Sequence, residues 1–149
     1  MILFDTNILV HAHMAGSPFH AIARRLRDEA AEGRLEACLT PQVLCEFFAV
    51  CTDPRMVHPA LTPRQANEEI GRYWNDSAFR KILPQDTTVP RLVGLLARKA
   101  VARQAVFDAF LVATMLDHGV RTIYTQNTKD FVRFQELRVV NPLATPAVS

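Results

Sequence analysis

The chain has 149 residues, 49% of them apolar, with 17 Lys and Arg against 15 Asp and Glu, a net charge of +2 and three cysteines. That length suits one domain with a proper core, and so small a net charge provides no global field for a polyanion. The apolar runs fall far short of the roughly 18 residues a membrane span needs. No basic region precedes an apolar N-terminal stretch, as a secretory leader would require. Cys38, Cys45 and Cys51 form no Cys-x-x-Cys pair, which argues against a disulfide framework or a zinc site and predicts a cytoplasmic protein with buried thiols.

Met1 to Asp5 read as a buried parallel strand ended by an acid. Ser17-Pro18 predicts a helix start with proline at its first position. Ala21, Ile22, Leu26 and Ala30 give that helix its apolar stripe, and Gly33 ends it. Glu36 to Leu39 read as a second strand. Thr40-Pro41 opens a helix whose core face is Val43, Leu44, Phe47, Phe48 and Cys51, and Thr52-Asp53-Pro54 ends it. After a proline-containing loop, Thr62 and Gln65 have the spacing of a capping box. The helix they open has Ile70, Tyr73 and Trp74 on its apolar side. Arg80 to Leu83 read as a third strand, Val89 to Ala102 as a helix and Val106 to Asp117 as another, closed by a left-handed cap at Gly119. Thr122 to Thr125 and Leu137 to Val140 are the last two strands. Strands alternating with helices predict an α/β three-layer sandwich around a parallel sheet of about five strands. The domain is expected over residues 1–143, with a tail over 144–149 that contains Pro146.

Four acids fall at or near strand-to-helix turns: Asp5, Glu46, Asp108 and Asp130. Ligands in open α/β sheets bind beyond the carboxyl ends of the strands, where the strand order reverses. Carboxylates gathered there repel one another and raise one another's pKa values unless a cation neutralises them. Hard divalent cations such as Mg²⁺ and Mn²⁺ prefer carboxylate and water oxygens, so the pattern points to metal-assisted phosphate chemistry. Each acid also has a purely structural use. Asp5 could cap a helix, Asp108 could complement a helix dipole, and Asp130 could cap a short turn. Glu46 sits among apolar neighbours, and a buried Glu needs a partner. Asn127 and Asp130 are both candidates for the fourth group.

From Thr87 to Phe107 there is no acid, while Arg91, Arg98, Lys99 and Arg103 are present. This stretch leads into Asp108 and could screen a polyanion approaching an acidic site; a solvated helix face is the plainer reading. Tyr73, Trp74 and Phe79 could stack on bases, although core or dimer packing fits helical spacing better. His11 and His13, two apart, do not share a helix face and read as ordinary surface or loop residues.

The motifs Met1-Ile2-Leu3-Phe4-Asp5-Thr6-Asn7, Glu46, Phe107-Asp108-Ala109-Phe110-Leu111-Val112-Ala113-Thr114 and Thr125-Gln126-Asn127-Thr128-Lys129-Asp130-Phe131 together resemble a PIN-domain ribonuclease of the VapC toxin type. Their order and spacing span residues 1–143. The resemblance implies a metal-dependent endoribonuclease that inhibits translation or growth, with Mg²⁺ or Mn²⁺ held by Asp5, Glu46 and Asp108. Asn127 stands where such proteins often carry a fourth acid, and Asp130 is the nearby substitute. Thr6, Asn7 and Thr125 are the implied polar supports. Also implied are a homodimer, products with 5′-phosphate and 3′-hydroxyl ends, and silencing by a VapB-type antitoxin. A basic antitoxin side chain can pair bidentately with the acids.

Two other readings compete. A catalytically inactive PIN-like module would bind RNA or a partner, but has no need of converging acids. An aspartyl phosphatase also places Asp after its first strand, yet two residues on it needs an acid, and Asn7 cannot deliver a proton. No Gly-x-Gly-x-x-Gly follows the first strand, which sets aside a dinucleotide-binding domain.

Overall fold

The computed structural model describes residues 1–144. All but the first residue of the expected tail, Pro146 included, therefore lies outside the described residues. Among the described residues five strands form one parallel sheet: β1 (Ile2–Phe4), β2 (Ala37–Leu39), β3 (Phe79–Lys81), β4 (Thr122–Tyr124) and β5 (Arg138–Val140). Their order is β3-β2-β1-β4-β5. The chain moves outward from β1 to β3, then returns to the far side of β1, so the order switches between β1 and β4. Leu3 pairs with Ile123 and Phe4 with Tyr124. Asp5 and Thr125 are the next residues on these two neighbouring strands, and both leave the sheet at its carboxyl edge.

Among the described residues seven helices cover the sheet: α1 (Thr6–His13), α2 (His20–Ala31), α3 (Pro41–Cys51), α4 (Pro63–Asn75), α5 (Thr88–Arg98), α6 (Ala105–Asp117) and α7 (Thr128–Phe131). α1 packs on α2 and α3, and α3 on α4, while α6 packs on α5 and α7. Right-handed crossovers to opposite sides of β1 put these two groups on opposite faces, giving the expected three layers. α6 buries Ala109, Leu111, Val112, Ala113, Thr114 and Met115. A helix apolar nearly all round belongs between other elements, and α6 carries Asp108 in its first turn.

Several local expectations hold for visible reasons. Thr40 caps α3 by accepting from the Val43 amide. Thr62 and Gln65 form the reciprocal capping box of α4. Gly119 takes φ +69°, the left-handed conformation that a helix end commonly uses.

Others need correction. The strand-to-helix turn at Asp5 does lead into a helix, α1, but the sequence sets no extent for it, because α1 is rich in branched residues and buries Ile8, Leu9, Val10 and Ala12. It therefore lacks a one-sided stripe. α2 starts at His20 rather than at Pro18, and Ser17 has no capping bond to it. Its Ala21 is exposed and Ala23 takes the core position. α5 ends at Arg98, before Ala102. The short α7 interrupts what reads as a loop. Cys45 is exposed, whereas Cys38 and Cys51 are buried and burial pushes their thiols up to about 12 and 11. Tyr73 and Phe79 are core residues in edge-to-face contact at 5.5 Å, but Trp74 is 45% exposed. Among the described residues no helix is long and apolar enough to cross a membrane.

Candidate active site

The switch point opens into a cleft of about 550 Å³ whose lining includes Asp5, Glu46, Asp108, Asn127 and Asp130. The four acids come from the end of β1 and from the helices α3, α6 and α7. Each is brought there by a different turn of the chain.

Asp5 caps α1. Its Oδ1 accepts from the Thr6 amide at 2.8 Å, and its Oδ2 accepts from the Thr125 hydroxyl at 2.6 Å and the Asn7 side chain at 3.1 Å. The carboxyl is 7% exposed. Burial raises its pKa, and the nearby Glu46 charge adds to the rise, while the bonds from Thr125, Thr6 and Asn7 oppose it. Thr125 is saturated: its one proton goes to Asp5, and its oxygen accepts from the Asn127 amide at 3.0 Å and from Asn7 at 3.4 Å. Asn7 in turn accepts the Gln126 amide proton on Oδ1 at 2.9 Å. Both ends of this side chain are engaged in holding the site, which leaves no role for position 7 as the proton donor a phosphatase would need.

Glu46 lies one and a half turns into α3. The Thr6 hydroxyl donates to its Oε2 at 2.9 Å, and Gln42 donates to its Oε1 at 3.2 Å. Gln42 also reaches the Phe107 carbonyl at 3.0 Å and so ties α3 to the first turn of α6. Its own Oε1 is buried without a hydrogen-bond partner among the described residues. Sequence reasoning missed Gln42, although its spacing of four from Glu46 is the helical signal for a contact.

Asp108 is placed differently. Among the described residues nothing donates to its carboxylate. Its pKa is pushed up to about 6 by burial first, then by the charges of Asp130, Asp5 and Glu46; Arg133 alone pulls the other way. The four acids thus act on one another electrostatically across the cleft. Asp130 is exposed on α7 and Asn127 is exposed just before it; both line the cleft.

His11 lines the same cleft and is not a surface residue. Its ring contacts Ser17 at 2.7 Å and Gln126 at 2.8 Å. His13 is likewise half-buried, edge-on to Phe47 at 6.1 Å. The basic candidates divide. Arg91 pairs with Asp117 at 2.6 Å, at the end of α6 remote from Asp108. Arg98 reaches Glu136 at 3.6 Å, and Lys99 and Arg103 lie on the segment that leads into α6. None of the four lines the cleft. Arg133, which sequence reading did not single out, donates to the Ala100 carbonyl at 2.8 Å beside that segment.

Oxygen donors dominate the cleft, and its one imidazole has both nitrogens engaged, so the donor set fits a hard cation and not zinc. Among the described residues no three Asp, Glu, His or Cys side chains close into a ready cage. An open arrangement of carboxylates fits a small hard cation that keeps several of its waters.

Comparison with known proteins agrees with this geometry. The PIN domain family matches residues 2–137. Ribonuclease VapC48 of Mycobacterium tuberculosis is 29% identical over 141 residues, covering 95% of this chain and 97% of the relative. The crystal structure of VapC20 from the same organism, described as a sarcin-ricin loop cleaving toxin, superimposes with a TM-score of 0.66 at 18% identity, over 89% of this chain and 94% of that one. A toxin–antitoxin complex from Klebsiella pneumoniae gives a TM-score of 0.61 at 22% identity, over 95% and 98%.

Proposed function

The chain belongs to the PIN domain family, and on that premise we propose that it is a metal-dependent endoribonuclease, the toxin of a toxin–antitoxin pair. The observation that carries this reading is the convergence of Asp5, Glu46, Asp108 and Asp130 on one cleft at the sheet's switch point. A fold has no use for an uncompensated acidic cluster in its own stability. A bound cation gives the cluster a purpose. The similarity to ribonuclease VapC48 along nearly the whole chain supports RNA as the substrate.

Asp5, Glu46 and Asp108 would hold Mg²⁺ or Mn²⁺, directly or through water, with Asp130 alongside. Such an ion supplies charge withdrawal from the scissile phosphate and a water of lowered pKa. The chain's own residues supply position. Thr6, Asn7 and Thr125 fix the Asp5 carboxylate, and Thr6 with Gln42 fixes Glu46. Asp5 also sits at the positive end of α1, which favours its ionised form. In-line attack by water on phosphorus with cleavage of the P–O3′ bond would leave 5′-phosphate and 3′-hydroxyl ends, the departing O3′ taking up a proton. A VapB-type antitoxin that projects a basic side chain into the cleft would meet the same carboxylates, and the chain is expected to work as a homodimer.

The test is Asp5→Asn in purified, antitoxin-free protein with a panel of structured RNAs. Loss of a supporting group around a metal costs up to about 100-fold, so loss of Asp5 itself should cost more than that, and chelation should abolish cleavage. Undiminished cleavage by the variant, or cleavage that survives full chelation, would sink this mechanism.

A further inference from the structure

We propose that His11 is a positioning residue for RNA cleavage, acting through Gln126 to hold the β4–α7 turn against α1. The inference rests on the ribonuclease reading above and adds a residue to it.

Asn7 and His11 are four apart on α1 and therefore share a face. Both grip the same partner. Asn7 Oδ1 accepts the Gln126 backbone proton at 2.9 Å, and the His11 Nε2 meets Gln126 Oε1 at 2.8 Å. The other face of the imidazole is fixed too. His11 Nδ1 lies 2.7 Å from the Ser17 hydroxyl, whose oxygen accepts from the Phe19 amide at 3.1 Å. Gln126 Oε1 can only accept, so Nε2–H donates to it, and the Ser17 hydroxyl meets Nδ1 on the other side. Phe19 packs edge-on against the ring, with centroids 5.1 Å apart. The His11 carbonyl accepts from His20 Nδ1 at 2.9 Å, anchoring the end of α1 to α2.

The consequence concerns the acids. Asp5, Asn7, Gln126 and His11 form one connected chain of hydrogen bonds that crosses the cleft from α1 to the turn. That turn carries Asn127 and Asp130. Release of Gln126 from His11 leaves the turn tied to α1 by the Gln126–Asn7 and Asn7–Thr125 bonds and to Asp5 through Thr125, with Phe131 still buried, so the loosening falls on the cleft side of residues 126–130, where Asn127 and Asp130 lie. A displacement of about 1 Å in a catalytic arrangement can cost about 100-fold in rate; a tether loosened but not lost should cost about 10-fold.

The test compares His11→Phe, His11→Gln, Gln126→Leu and the His11→Phe/Gln126→Leu double variant. Phenylalanine keeps the ring and its contact with Phe19 but makes neither polar contact; glutamine can reach Gln126. In Mn²⁺-dependent cleavage of a single-stranded RNA, His11→Phe should lower kcat about 10-fold with KM within about twofold of the parent. His11→Gln should restore most of the loss. Gln126→Leu should match His11→Phe, and the double variant should be no worse than either. Amide hydrogen exchange provides a second readout that needs neither metal nor substrate. In His11→Phe the amides of residues 126–130 should exchange faster, while those of β1 and β4 stay unchanged. If the parent protein cleaves no RNA, the ribonuclease reading fails and the exchange pattern alone decides the tether. Unchanged exchange at residues 126–130, an undiminished kcat, or losses that multiply in the double variant would overturn the proposal.

Discussion

One helix carries two aspartates about 13 Å apart, and they are treated in opposite ways. Asp108 sits in the first turn of α6, where the helix dipole favours a negative charge, and Asp117 sits at the last residue, where the dipole disfavours it. The dipole alone would lower the pKa of the first and raise the second. Their surroundings reverse this. Burial and then Asp130, Asp5 and Glu46 push Asp108 up to about 6. Burial acts on Asp117 as well, but hydrogen bonds from Thr88, Arg91 and Thr87, with the Arg91 charge, outweigh it and hold the carboxyl below its ordinary value. The neighbours that surround an acid therefore decide its state more than its place on the helix does. Asp117 is completed by the fold. Asp108 is left with an excess of like charge that only something from outside can offset.

The sharpest way to break this contrast is to neutralise each acid. On the proposed mechanism Asp108→Asn should reduce RNA cleavage by more than about 100-fold, since it would remove a group that holds the metal and not merely a support. The same change should leave the metal-free protein as stable as the parent or slightly more so, because it relieves repulsion. Asp117→Ala should do the opposite. Thr87, Thr88 and Arg91 lose their acceptor in a site where the acid's side chain is only 1% exposed. The expected cost is about 1–3 kcal/mol, with kcat per folded molecule unchanged. Thermal melts and single-turnover cleavage on the two variants read both quantities. Loss of stability in Asp108→Asn, or loss of kcat in Asp117→Ala, would erase the distinction.

A smaller effect should appear in pH. Asp108 has a folded pKa above its ordinary value of 3.8, so between 3.8 and about 6 the folded state binds more protons than the unfolded one. Its contribution to the stability of the metal-free protein therefore declines as pH rises through that window. Asp117 has the opposite sign: its contribution is present above the ordinary value and is lost as pH falls through its lowered folded pKa. If Asp108 holds the metal as proposed, Mn²⁺ binding needs its carboxylate, and protons should compete with the ion below about pH 6. At saturating Mn²⁺ the rise in Tm should be larger at pH 7 than at pH 5, and Asp108→Asn should flatten that difference. An equal rise at both pH values in the parent protein would remove Asp108 from the metal site.

The sequence made some of this visible and hid the rest for physical reasons. Asp5 stood out because an acid directly after a buried strand at the carboxyl edge has few ordinary explanations. The five strands and the boundaries of α3, α4 and α6 followed from local caps and periodicity, and those signals reside in adjacent residues. The extent of α1 escaped because a helix buried nearly all round has no stripe. His11 escaped because its nearer neighbour in the sequence, His13, drew the spacing argument, whereas the informative partner was Asn7, four residues earlier. Gln126 and Arg133 could not be singled out before the turn after β4 was placed against α1 and α6. Trp74 read as core because helical spacing does not say where a helix's packed face ends. Glu46 needed the resemblance to family members, since a Glu among apolar neighbours admits several partners.

The smallest predicted effect separates the basic residues in the same terms as the two acids. Arg91 is committed to Asp117 and lies at the end of α6 remote from the cleft. Among the described residues Lys99 and Arg103 form no ion pair, and they lie on the segment that enters α6 just before Asp108. A cation already paired with a protein carboxylate has little charge to offer a phosphate, whereas an unpaired one releases counterions when RNA binds. Each phosphate contact to a single strand contributes about −0.7 to the slope of log K against log salt. Arg103→Ala and Lys99→Ala should each weaken binding of a catalytically dead Asp5→Asn protein to single-stranded RNA, uniformly across sequences, and should shrink the salt slope by up to about 1. Arg91→Ala should leave both the affinity and the slope within error, and should lower stability by no more than about 1 kcal/mol, as expected for a half-exposed member of an ion pair. Salt titrations monitored by fluorescence anisotropy distinguish the cases. If Arg91→Ala alone reduces the slope, the RNA crosses the far end of α6, and the satisfied end of the helix is the one that meets the substrate.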